Sequence, residues 1–187
     1  MVETAIGRPR RWASLATALL AVGLLAAMAL TGHLRENRQF VAFKPDGVMR
    51  EAPGDIDRVE LSSADRRWTF VRKADGWRTT PGDRPLPGAL ATSLESSIKF
   101  MHVSAPVRVM ERAEWDAVGL SEFGLDPPGL TAVLYRGDVA VLGAEFGGPN
   151  PQQVLQYMKL QGGERVYLMS RFVGEEWEHA LREASRG

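Results

Sequence analysis

Between Trp12 and Leu30 the chain runs through nineteen consecutive residues without a charge, most of them Ala and Leu. At about 1.5 Å of rise per residue such a run makes a helix of about 28 Å, close to the thickness of a hydrocarbon core. Arg8, Arg10 and Arg11 precede it, and His33, Arg35, Glu36 and Arg38 follow. The stronger positive flank on the N-terminal side predicts a cytoplasmic tail over residues 1–11 and a membrane-spanning helix over 12–31. The remainder is then exported, which predicts a single-pass inner-membrane protein with an extracytoplasmic domain. Trp12 suits the membrane interface. A cleaved signal peptide is the competing reading, because Ala27-Met28-Ala29 has the small-x-small form of a cleavage site. The run exceeds the usual signal-peptide apolar core of about 7–15 residues, which favours a retained anchor. Export follows from either.

The full chain has 187 residues, and those beyond the run suffice for one domain with its own core. Formal net charge is zero, and the part after the run is slightly acidic. Nucleic-acid binding needs a concentrated basic face, so it is excluded. The absence of cysteine excludes disulfides, thiolate metal sites, cysteine nucleophiles and a lipidated-cysteine anchor.

Residues 32–54 read as a linker. They hold two turn-forming stretches, Lys44-Pro45-Asp46-Gly47 and Pro53-Gly54, and a short strand around Phe40, Val41 and Phe43. From residue 55 to 187 the pattern is that of an α+β domain, a mostly antiparallel sheet with two or three packed helices. Val59 and Leu61 alternate with charged neighbours, Trp68 and Phe70 share a strand face, and Asp75-Gly76 turns into a third strand at Trp77. Leu86, Leu90, Leu94, Ile98 and Met101 recur at helical spacing, which predicts a helix over 87–101 with one apolar stripe. Ser93, Ser96 and Ser97 are read as its surface. A short helix is expected over 111–118, starting on an acid. Strands are expected over 130–135, 139–146, 154–160 and 165–169. Gly147-Gly148-Pro149-Asn150-Pro151 is read as a loop, and a last helix covers 173–181.

Chemistry is sparse. His33, His102 and His179 have no metal-ligand spacing. Glu175 and His179 share a helix face, which reads as a solvated surface. No serine sits in a Gly-x-Ser-x-Gly elbow, and Gly147-Gly148 and Gly162-Gly163 lack any phosphate-loop pattern. Arg136-Gly137-Asp138 is a hairpin tip. No catalytic, cofactor or metal residue is assigned, and no cofactor is expected. Asp126-Pro127-Pro128 reads first as a rigid break that aims the next strand, and second as an exposed corner that contacts a partner. Trp115 and Trp177 lie on short helices. Core filling is the first reading there, and an exposed interface aromatic the second.

Three segments carry a family resemblance. They are Arg72-Lys73-Ala74-Asp75-Gly76-Trp77, then Phe123-Gly124-Leu125-Asp126-Pro127-Pro128, then Val141-Leu142-Gly143 followed by Tyr157 and Val166-Tyr167-Leu168. In this order, from Ile56 to Leu181, the chain resembles the bacterial domain-of-unknown-function family 4340. The resemblance implies a membrane-anchored envelope protein of the kind encoded beside multi-spanning permeases of ABC-type export or gliding-motility systems. It carries no active site. The chain is shorter than many members, some of which hold more than one copy of the unit. The expected function is that of a noncatalytic accessory or assembly subunit of a membrane complex. A periplasmic binding module for an envelope polymer or small ligand is the alternative, and a hydrolase comes last.

Overall fold

The computed structural model describes residues 9–36, 45–64 and 66–186, with side chains over 14–28 in the first stretch. Two units divide the chain near residue 43. The first holds one helix, α1, Pro9–Glu36. Its described side chains from 14 to 28 are all exposed, and Leu15, Leu19, Leu20, Val22, Leu24, Leu25 and Met28 are among them. Among the described residues no helix is long and apolar enough to cross a membrane. The expected span over 12–31 lies partly outside the described side chains. The tail over 1–8 and the expected strand at Phe40, Val41 and Phe43 lie outside the described residues altogether.

In the second unit, period-two alternation builds one eight-stranded antiparallel sheet. Its strands are β1 (Arg58–Ser63), β2 (Arg66–Lys73), β3 (Gly76–Thr80), β4 (Arg108–Met110), β5 (Leu130–Arg136), β6 (Val139–Pro149), β7 (Leu155–Leu160) and β8 (Val166–Ser170). Their order across the sheet is β3-β2-β1-β5-β6-β7-β8-β4. Register puts the apolar residues of successive strands on one face. Val59 pairs with Phe70 and Leu134, Leu61 with Trp68 and Ala132, and Phe146 with Leu130 and Met158.

Two helices cover that face, α2 (Gly88–Val103) and α4 (Arg171–Arg186). The stripe of α2 is as its spacing predicts: Leu90, Leu94, Ile98 and Met101 are buried, each worth about 1.5–3 kcal/mol of transfer energy. The helix stops where Pro106 disfavours helical backbone before it. Ser93 and Ser97, expected on the surface, are buried too, because α4 packs beside α2. Ser93 Oγ lies 2.7 Å from Nδ1 of His179, so His179 is a half-buried contact between the helices rather than a solvated side chain. Phe100 and Phe172 close the same seam edge-to-face, with centroids 5.0 Å apart.

A smaller apolar cluster sits on the opposite face. Val166 and Leu168 of β8 meet Met110, Leu125 and Trp115, the last from the short helix α3 (Arg112–Trp115). The described end of the expected linker belongs to the domain. Met49 is 2 % exposed, and Gly47 and Met49 donate backbone hydrogen bonds to the carbonyls of His102 and Met101 at the end of α2. The carbonyls of the last turn of α2 are free to accept there, since no intrahelical N–H reaches them.

Candidate functional site

The five residues expected at a partner contact separate. Trp115 is 8 % exposed and Trp177 is fully buried, which corrects the interface reading for both. Trp115 fills the smaller cluster and donates its indole N–H to the carbonyl of Glu164 at 3.1 Å. Trp177 packs against Phe146, with centroids 6.2 Å apart, and its Nε1 finds no acceptor among the described residues. In both, the helix turns its largest side chain toward the sheet, α3 as a single turn and α4 along its apolar stripe. Asp126 and Pro127 are exposed and Pro128 is half-buried. Between them and the sheet, Leu125 is 3 % exposed and anchors the corner. Gly129 N–H then bonds the carbonyl of Phe146 and carries the chain into β5. The proline corner therefore aims a strand and leaves Asp126 and Pro127 outward.

A site that sequence reasoning missed lies at the other end of the sheet. The loop 81–87 folds back along β3. Leu86 N–H bonds the carbonyl of Trp77, Thr79 N–H bonds that of Arg84, and Arg84 N–H reaches Thr79 Oγ1. Pro81, Pro85 and Pro87 supply no N–H, so the loop covers the sheet edge without presenting a pairing edge of its own. Charged contacts tie it down. Lys73 meets Asp83 at 2.9 Å, and Arg78 meets Asp75 at 2.6 Å and the carbonyl of Asp83 at 2.7 Å. The side-chain hydrogen bond to Arg78 holds Asp75 below the usual carboxylate range, and that to Lys73 does the same for Asp83. Asp75 in turn raises Arg78.

Between this loop, β2, the start of α2 and the end of α4 is a cleft of about 410 Å³. Trp68, Phe70, Leu86 and Leu90 give it an apolar floor. Arg66 and Arg84 line it, and Arg66 stacks over Trp68 at 4.7 Å. Neither forms an ion pair among the described residues, whereas the one carboxylate on the lining, Glu183, is held by Arg186. Arg67 also contributes to the lining, from the position on β2 opposite Ser62. Helix α2 begins at the cleft with no acid in its first turn, so nothing there offsets the positive end of its dipole. The arrangement is concave, apolar and net positive. Its only sequence signal is the spacing of prolines around Leu86.

Among the described residues no group of three His, Asp or Glu side chains could hold a metal ion. No family model, no curated protein and no solved structure matches the chain.

Proposed function

We propose that the chain is a noncatalytic, single-pass inner-membrane protein of bacteria whose periplasmic domain serves as an accessory or assembly subunit of a membrane complex, in the manner of an ABC-type transport system. The uncharged run from Trp12 to Leu30 carries this reading. The all-round apolar exposure of α1 over 14–28 supports it, because a helix that is hydrophobic on every side calls for lipid or other helices around it. The arginines before the run favour a cytoplasmic N-terminus. The three motif segments that resemble family 4340 support the link to a permease. Purification of the full chain from cross-linked membranes in mild detergent tests the proposal. A multi-spanning permease should come with it. A chain that runs alone after cross-linking would contradict the subunit reading.

The cleft beside loop 81–87 favours a second reading, a binding module for a small ligand. Concave apolar pockets of about 300–1,000 Å³ with a few convergent polar groups are the usual form of such sites. The two readings are compatible, since a transport accessory can hold a ligand.

A further inference from the structure

We propose that this cleft binds a small apolar anion: a flat or extended hydrocarbon body on Trp68, Phe70, Leu86 and Leu90, with a single carboxylate, sulfonate or phosphate held by Arg66 and Arg84. The inference rests on the binding reading of the cleft and adds the ligand class. Volume selects a small molecule, because about 410 Å³ falls at the lower end of the range for small-molecule sites. The floor selects an apolar body, and its aromatic rings favour a planar one.

Charge selects the head. Among the described residues Arg66 and Arg84 have no carboxylate partner, and both are exposed, so an oxyanion competes only with water for N–H groups whose fork matches it. The stack of Arg66 on Trp68 places its guanidinium at the border of the apolar floor, where the head of a ligand lying on that floor would fall. Glu183, the carboxylate on the lining, pairs with Arg186. A cation would meet two guanidinium charges that no acid pairs among the described residues, and a neutral body would leave both to solvent.

The test uses the full chain in phosphatidylcholine nanodiscs and three probes of one shape: naphthalene-2-sulfonate, neutral 2-naphthylmethanol and cationic 2-naphthylmethylamine. Affinity is read by titration calorimetry and by saturation-transfer NMR. The sulfonate should bind at least about fivefold more tightly than the alcohol, and the amine least. Arg66→Gln and Arg84→Gln should each weaken the sulfonate about fivefold, while the alcohol changes little. The double variant should abolish the preference. Both side chains lie on the lining of an open cleft, so thermal unfolding should be unchanged, which separates lost binding from lost folding. Leu86→Trp, which fills the floor, should remove all three probes.

Equal affinity for the three probes would overturn the anion assignment and leave the binding reading standing. No binding by any probe would overturn both. Unchanged sulfonate affinity in the double variant would also overturn the assignment. In discs containing anionic phosphatidylglycerol the sulfonate should bind as before. Loss of its affinity there would give the site to a lipid headgroup and overturn the free-anion proposal.

Discussion

Trp115 and Trp177 are both buried, and what separates them is the indole N–H. Trp115 donates to Glu164, whereas Trp177 has no acceptor among the described residues. A lost hydrogen bond costs about 0.5–1.5 kcal/mol, and an unmade buried one already costs about 1–3 kcal/mol. Trp177→Phe should therefore destabilise less than Trp115→Phe in urea unfolding, although Trp177 is the more deeply buried. The opposite order would show that lost volume outweighs the polar atom. Glu95 makes the converse case. One of its carboxylate oxygens accepts from the indole of Trp77 at 2.7 Å and the other from Arg72 at 2.9 Å. Glu95→Ala leaves a buried indole N–H without an acceptor and should cost about 1–3 kcal/mol in the same measurement, with Glu95→Gln costing less. Neither partnership was legible in the sequence. Periodicity marks Glu95 as off the apolar stripe and stops there, because the partners come from β2 and β3, whose placement depends on the whole sheet.

At the scale of elements the sequence was more informative. The meander β1–β3, the stripe of α2 and the hairpin β7–β8 follow from alternation and turn chemistry alone. The helix expected over 111–118 is the single turn Arg112–Trp115, the last helix is longer than expected, at Arg171–Arg186, and two further departures share one kind of reason. The glycines at 147 and 148 were read as a loop, yet β6 continues through them to Pro149. Gly147 is a close approach rather than a turn: a Cβ there would lie 2.2 Å from the carbonyl oxygen of Phe123. Gly147→Ala should push the 120–125 segment off the sheet. A drop of about 1–3 kcal/mol in stability is expected, with faster hydrogen exchange at Leu125; wild-type exchange there would contradict the packing. Likewise Gly47, read as part of a linker, would place a Cβ 2.3 Å from the carbonyl oxygen of Met101. A single sequence does not distinguish glycine needed for space from glycine needed for a turn.

Helix α3 carries a pH dependence that can be signed. Its N-terminus is a capping box in which Glu114 accepts from the backbone N–H of Glu111 at 2.9 Å. That bond, and after it the hydrogen bond from Arg108, holds Glu114 below its ordinary value of 4.5. A carboxyl depressed in the folded state adds stability above its unfolded pKa and loses it as pH falls through the lower folded value. The α3 amides should therefore exchange faster as pH drops below about 4.5, after correction for intrinsic rates, and Glu114→Gln should remove that dependence.

For the molecule as a whole, the sequence announces the apolar run at first sight and gives almost no sign of the cleft. The run is local, and its meaning follows from nineteen adjacent residues. The cleft gathers residues from β2, from loop 81–87 and from two helices about a hundred positions apart, so no window of sequence contains it. The central claim, that the domain works at a membrane because residues 12–31 hold it there, is tested most directly by fractionation. Membranes from cells expressing the full chain are washed with alkaline carbonate and urea, and spheroplasts are then treated with protease. The account predicts full-length protein in the washed pellet and digestion of the domain in intact spheroplasts. Full-length protein released by the wash, or a domain protected until the cells are lysed, would contradict it.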